Sequence, residues 1–468
     1  MVKKKYNLLK AISWYTVGNI LIKGISFFLL PVFTSLMSTY EYGVYSVYLS
    51  YLTIFETFIL FGLSNTVSIE KYDDNMDFEE YMSAIVKIPL ALTAAVLILV
   101  NIYFIFADSL LDLNQMLWNF LLLTAATSAV LMIIAARLVI EGRYTIYMIW
   151  SVGNTLLTIG FSLSLCYTAF RYNNIYYGRV IGALVPSVAF AIVYAKLFVK
   201  SYRLQKNVLK VAITLGFPLL LHTFSTVIMT QSDRVIIKMI DGYDNTGIYS
   251  IAVTLVSIPL IIQTSIGSAY TPWLFDHLKV KDYRRIRIIN NTYIIGFSLV
   301  IAGFMIISPE IIRLFTNKAY WDASYSLIPL SISILFECFY SLVISVESFN
   351  KKTWMITTAT VISTIINIIL DVILIKLFGY HGAAYGTTIA KFMLFVMHWI
   401  FAKKVDSNSM FSTSLVLFIS ISMCGLDFAI LRFIDIIAVR YIVLVTVMVL
   451  SAVYGLKRKN AIVDALKN

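Results

Sequence analysis

Charge is scarce in this chain. Only 13% of its 468 residues are Asp, Glu, Lys or Arg, against roughly 25% in soluble globular domains. By contrast 60% are hydrophobic, and the mean hydropathy is +0.84. This deficit excludes a soluble domain as the body of the chain and marks an integral membrane protein. Cysteine is scarcer still. Cys166, Cys338 and Cys424 all lie in apolar runs, and their spacing offers neither a metal site nor a disulfide framework. No G-x-x-x-x-G-K-[ST] loop, no H-E-x-x-H and no nucleophile elbow occurs. No large loop carries paired carboxylates, which argues against a glycosyltransferase or a polysaccharide polymerase. The expectation is therefore a protein that is not an enzyme and uses no cofactor or metal. The first apolar stretch also lacks a short h-region followed by a small-residue cleavage site, so it reads as a span and not as a signal peptide.

What is present is a long series of apolar runs. A helix needs about 20 residues to cross a bilayer. Runs of that order fall at 11–36, 44–66, 82–106, 115–137, 147–168, 177–197, 208–238, 247–270, 287–308, 325–349, 353–375, 382–402, 412–431 and 438–456. This predicts an all-α membrane protein of about fourteen transmembrane helices. The formal net charge is +12. With the N-terminus inside, 26 of the 37 basic residues fall at cytoplasmic ends and loops and nine on the opposite side. The positive-inside rule then places both termini in the cytoplasm. The excess of basic residues is accounted for by topology, so no nucleic-acid partner is expected.

The sequence repeats itself. Gly43 in Glu41-Tyr42-Gly43-Val44-Tyr45-Ser46 matches Gly247 in Gly247-Ile248-Tyr249-Ser250, in what reads as an outer turn after spans one and seven. Glu141 matches Glu347, and Tyr177-Gly178 matches Tyr385-Gly386. The stripe Ser151, Asn154, Thr158, Ser162 maps onto Thr360, Ser363, Asn367, Asp371. The offsets drift only from 204 to 209. Two tandem halves of six spans follow, 1–205 and 206–404, with 405–468 adding two further helices and a tail. Six is even, so the halves are parallel. Transporters built from such repeats hold their substrate near the midplane, in a central cavity between the halves.

Charges inside spans mark function or pairing, because each costs about 2.5–3.5 kcal/mol or more at the bilayer centre. Thr16, Asn19, Lys23 and Ser26 share one face of span one. Lys23 either faces a cavity or pairs with Glu56 of span two. Lys391 lies at mid-depth in span twelve, and Glu337 in span ten is a possible partner for it. Span seven carries His222, then Asp233 and Arg234. Arg234 either faces a cavity or snorkels to the headgroups, and His222 reads as a packing residue. Asp371 falls near the outer end of span eleven, where water can reach it.

These features together resemble the Wzx-type polysaccharide flippases, the polysaccharide-exporter branch of the multidrug/oligosaccharidyl-lipid/polysaccharide (MOP) superfamily. The resemblance rests on Glu41–Ser46, on Ser232-Asp233-Arg234 with Gly247–Ser250, and on Phe378-Gly379-Tyr380-His381-Gly382-Ala383-Ala384. It implies two six-helix bundles around a central cavity in a bacterial inner membrane. It further implies translocation of an undecaprenyl-pyrophosphate-linked oligosaccharide, an O-antigen, capsule or exopolysaccharide unit, to the outer leaflet by alternating access. Substrate contacts would be Lys23, Asn19, Arg234 and Lys391. Glu56, Glu337, Asp371 and Asp233 would serve ion coupling. The partners implied are the lipid-linked oligosaccharide, a polysaccharide polymerase, glycosyltransferases and membrane lipids. Two alternatives within the superfamily stand beside this: a drug/cation antiporter, whose cationic substrates would favour acidic cavity residues, and a lipid II flippase, a branch with fourteen spans.

Overall fold

Hydrocarbon offers no water to a backbone N–H or C=O, so a spanning segment satisfies its own backbone as a helix. A computed structural model describes residues 24, 27–71, 77–200, 206–406, 408 and 410–449. In it the chain runs through α1 (Leu30–Leu36), α2 (Thr39–Leu60), α3 (Leu63–Glu70), α4 (Phe78–Tyr103), α5 (Gln115–Ile140), α6 (Tyr144–Tyr167), α7 (Tyr176–Phe198) and α8 (Lys206–Lys279). It continues through α9 (Tyr283–Phe315), a 3₁₀ turn (Lys318–Ala323), α10 (Ser324–Phe349), α11 (Thr353–Phe378), α12 (His381–Val405) and α13 (Thr413–Arg432). A shorter apolar helix, α14 (Ile437–Val449), follows. Among the described residues eleven helical stretches are long and apolar enough to cross a membrane. One of them, α8, is 74 residues long and breaks at Gly242, whose φ is 86°. Its two arms cover the predicted spans at 208–238 and 247–270. Most of the predicted first span lies outside the described residues.

Two compact units divide at Val235/Ile236, so the first arm of α8 belongs with the N-terminal unit. Backbone contact explains this. Phe61 and Gly62 break α2 from α3 with φ of 54° and 71°, and α8 crosses the break at Gly216. A Cβ on Gly62 would lie 2.6 Å from the Gly216 carbonyl oxygen, and one on Gly216 would lie 2.6 Å from that of Phe61. One helix forms the core of each unit, α5 in the first and α10 in the second. The buried share is 61% for α5 and 78% for α10, the highest of their units.

The Glu41–Ser46 segment is not a turn. Ser38 starts α2 with a capping box, accepting from the Glu41 N–H while the Glu41 carboxylate accepts from the Ser38 N–H. Tyr42 to Ser46 are buried in the first two turns of that helix. Gly247–Ser250 is likewise helical, in the second arm of α8. Tyrosine and glycine next to a polar cluster resemble turn chemistry, but here they pack a helix start.

The acid at that start does further work. Glu41 Oε1 accepts the Ile175 N–H at 3.1 Å, at the N-terminus of α7. In the second unit Asp241 Oδ2 accepts the Tyr380 N–H at 2.8 Å, at the N-terminus of α12. Ile175 and Tyr380 are the N-cap residues of their helices, so in each unit a carboxylate caps the start of the corresponding helix, from acids at different register.

Other repeats are real but differently aligned. After α5 the bonds are Glu141 N–H to Arg137 O, Gly142 N–H to Val139 O and Arg143 N–H to Leu138 O. After α10 they are Asn350 N–H to Val346 O, Lys351 N–H to Ser348 O and Lys352 N–H to Glu347 O. Gly142 and Lys351 have φ of 68° and 58°. The geometric equivalent of Glu141 is therefore Asn350 at an offset of 209, and that of Glu347 is Leu138. The glycines also shift. Gly178 and Gly182 of α7 press on Cys166 and Ser162 of α6, while Gly382 and Gly386 of α12 press on Leu374 and Asp371 of α11. Gly178 thus corresponds to Gly382, and Gly182 to Gly386.

A side chain at either crossing must push the helices apart. Gly382→Val is expected to lower folded stability by about 1–3 kcal/mol, the usual cost of overpacking, because its Cβ meets the Leu374 backbone carbonyl. Gly303→Ala, with open space around it, should leave the melting temperature in detergent unchanged. Equal melting of both variants would refute the crossing.

Candidate functional site

The second unit collects polar groups on three adjoining helices. In α11, Thr360, Ser363, Asn367 and Asp371 are all buried, with Ser363, Asn367 and Asp371 at 0% exposure. Spacings of three and four put them on one face, and that face meets α12 at Gly386. Asp371 is consequently enclosed, which corrects its expected solvation. The helix runs on to Phe378, so the carboxylate sits about two turns inside the helix end. The amide of Asn367 makes no hydrogen bond among the described residues, and neither does the hydroxyl of Thr387, next to Gly386.

One helix over, Lys391 Nζ lies 2.6 Å from Glu337 Oε2, with side-chain exposures of 13% and 24%. Of the two readings of Lys391, the structure realises the pair. Two turns further along α12, His398 Nδ1 is 2.9 Å from Glu347 Oε1, both at 0% exposure. Tyr340 packs on the His398 ring, with centroids 4.9 Å apart. Sequence reasoning missed this second pair. Its signal was present: two ionisable residues, one on span ten and one on span twelve, each two to three turns beyond the Glu337 and Lys391 already suspected of pairing.

The first unit is arranged differently. Glu56 of α2 is half-buried. Arg234 Nη1 donates to Gln231 Oε1 at 2.7 Å, and the same oxygen accepts from Ser50 of α2 at 3.1 Å. Asp233 is 4% exposed and its Oδ1 accepts the Arg234 N–H. Arg179 was not singled out by the sequence. Its guanidinium lies 3.9 Å from the Phe33 ring centroid and 3.8 Å from that of Tyr45. Nothing in the sequence links those three positions. Lys23 and Asn19 lie outside the described residues, as does the side chain of His222. Among the described residues no group of three or more His, Cys, Asp or Glu is placed to hold a metal ion.

Ion pairs on helices that cross at paired glycines, in two units of like construction, define a polytopic helical membrane protein. Residues 8–278 match the family model of the polysaccharide biosynthesis proteins, and the chain belongs to that family. A probable low-salt glycan biosynthesis flippase, Agl15 of Haloferax volcanii, is 28% identical over 171 residues, 36% of this chain and 36% of that protein. The match thus spans about a third of that relative. An uncharacterised membrane protein of Haemophilus influenzae is 23% identical over 376 residues, 77% of this chain and 88% of the other. Among solved structures, the lipid II flippase MurJ in an inward closed conformation superposes with a TM-score of 0.70 at 17% identity, covering 95% of this chain and all of MurJ. A MOP superfamily transporter from Pyrococcus furiosus gives 0.57 at 13% identity, covering 85% and 96%. The fold is the one these structures share.

Removing one member of a buried pair strands the other, typically at 3–5 kcal/mol. Lys391→Ala and Glu337→Ala should each destabilise the protein, and the double variant should be less destabilised than the sum of the two. A thermal-melt double-mutant cycle reads this, and additive effects would show that the two groups are uncoupled.

Proposed function

We propose that the chain is a flippase for a lipid-linked oligosaccharide, carrying an undecaprenyl-pyrophosphate-linked glycan from the cytoplasmic to the outer leaflet by alternating access. Membership of the polysaccharide biosynthesis family carries this reading. The transporter fold supports it. So does a set of intramembrane cations suited to a polar anionic headgroup. Pyrophosphate and sugars cannot enter hydrocarbon unaided. Lys23, Asn19, Arg234 and Lys391 are the proposed substrate contacts. Lys391 reaches the substrate by exchanging Glu337 for a phosphate oxygen.

Outward movement of negative charge is favoured by an inside-negative potential, at about 2.3 kcal/mol per charge per 100 mV. A counter-transported cation resets the carrier in this scheme. Its best-supported position is Asp371. There Asn367 and Thr387 offer oxygens that no described residue occupies, and oxygen ligands suit hard cations. Glu56 and Asp233 are the other proposed coupling groups, with Glu337 joining them only while Lys391 is turned to the substrate. The drug/cation antiporter is the weaker reading, because Lys391 neutralises Glu337 and leaves that carboxylate unavailable to a cationic drug. A polymerase and glycosyltransferases are the proposed partners in the pathway.

The test is flipping of a fluorescent polyprenyl-pyrophosphate oligosaccharide in proteoliposomes. Lys23→Ala is expected to insert normally and to slow flipping by roughly tenfold or more, the loss of about 1.4 kcal/mol of transition-state stabilisation. Asp371→Asn should lose the acceleration given by a cation gradient. Full activity in Lys23→Ala removes that residue from the substrate path, and indifference to both potential and gradients sinks the coupling scheme.

A further inference from the structure

Away from the groups discussed so far, the second unit has a cleft of about 720 Å³ between the start of α9 and the start of α13. Its α9 wall is one helical face. Arg284, Arg287 and Asn291 follow at spacings of three and four, interleaved with Ile288 and, a turn further, Ile295. The wall is therefore graded. Arg284 and Arg287 lie at the helix end beside Ile288, Asn291 and Thr292 follow, and the wall ends at Ile295, about 16 Å along the axis from Arg284 at 1.5 Å per residue.

The charges of this cleft are not cancelled from within. Arg285, the neighbour of Arg284, is turned to Asp282, with Nε 3.5 Å from Oδ2. Asp406 is the nearby acid, and its oxygens already accept from the Tyr283 hydroxyl at 2.7 Å and from the Asn408 N–H and side-chain amide at 3.0 and 2.8 Å. Among the described residues Arg284 and Arg287 have no carboxylate partner.

The opposite wall adds to the positive field. α13 begins at Ser412 without a side-chain cap. The Ser412 hydroxyl pairs with that of Ser414 at 3.0 Å, and its backbone N–H is held by Asn291 Oδ1 at 2.9 Å. The first-turn amides of α13 are left uncapped beside the cleft, at the positive end of a 20-residue helix. α9 differs, since Asp282 caps it.

We propose that this cleft is a binding site for an anionic glycerophospholipid. Its phosphate sits between Arg284, Arg287 and the first turn of α13, and one acyl chain lies along Ile288, Ile295 and Leu415. Basic pockets between membrane helices at the interface recognise such headgroups. The graded wall favours an amphiphile over a free anion, since inorganic phosphate would use only the outer part of the cleft. The site rests on the membrane fold and is independent of the proposed transport activity.

The experiment is native mass spectrometry of the purified full-length protein titrated with phosphatidylglycerol or phosphatidylcholine. One phosphatidylglycerol should be retained at concentrations where phosphatidylcholine is not. Arg284→Gln/Arg287→Gln should weaken that binding about tenfold, while eluting as the unaltered protein does on size exclusion. Lys351→Gln/Lys352→Gln, an exposed basic pair on the turn before α11, should leave it unchanged. Equal loss in both double variants would reduce the effect to general surface charge and overturn the site. Displacement of the lipid by millimolar inorganic phosphate would make it an anion site and overturn the lipid assignment. So would preferential retention of a polyprenyl pyrophosphate.

Discussion

The bond from an acidic side chain to the first amide of a distant helix holds each unit in order. Helix N-termini expose backbone N–H groups and the positive end of the dipole. Glu41 answers that need at Ile175, and Asp241 at Tyr380. The first bond ties the start of α2 to the start of α7, and the second ties the residue before the Gly242 break of α8 to the start of α12. Glu41 closes its own capping box with Ser38 at the same time, so one carboxylate fixes the entry of α2 and the start of α7 together. Once those ends are fixed, the neighbouring crossings at Gly178 and Gly182, or at Gly382 and Gly386, have little freedom left. The polar stripes of α6 and α11 are thereby set against their partners.

The fold class was legible because hydropathy and charge asymmetry act over whole segments. Local assignments were less so. The Tyr-Gly motif was found for the right reason, repetition, and given the wrong conformation, since nothing in Glu41–Ser46 shows that Ser38 already caps a helix. The alignment slips of three and four residues have a physical cause too. A shift of one helical turn preserves the face, so Glu141 against Glu347 looks as good as Glu141 against Asn350. Only the backbone hydrogen bonds of the turn distinguish them. Asp371 was read as solvated because hydropathy finds the apolar part of a helix and not its end, and α11 continues past the carboxylate to Phe378.

At the candidate site the sequence supplied residues and the structure supplied pairings. Lys391 and Glu337 were both visible as mid-span charges, but their bond depends on how α10 packs on α12. Several other cations are also satisfied internally. Arg137 binds Glu79 and Glu141, and Arg440 binds Glu310 with both terminal nitrogens. Arg179 lies against aromatic rings. Much of the intramembrane positive charge is therefore structural, which narrows the groups available to the proposed anionic substrate to a few. Arg234, held among the described residues by a neutral amide on its own helix, is among those least committed.

The two units share backbone devices while their chemistry diverges at equivalent points. Where Gly182 meets Ser162, Gly386 meets Asp371. Where the turn after α5 has Leu138, the turn after α10 has Glu347, joined to His398. The crossing and the turn are geometric requirements, fixed by close approach and by a left-handed residue, and they tolerate a change in the facing side chain. Titratable groups have been added to that tolerant position in the second unit only. A hydroxyl such as Ser162 cannot change charge in the physiological range, whereas a carboxylate can bind or release a cation. Within the coupling scheme proposed above, this asymmetry favours Asp371 over its counterpart Ser162. It leaves the equivalent positions of the first unit as packing, even though a carboxylate caps the corresponding helix start in both units.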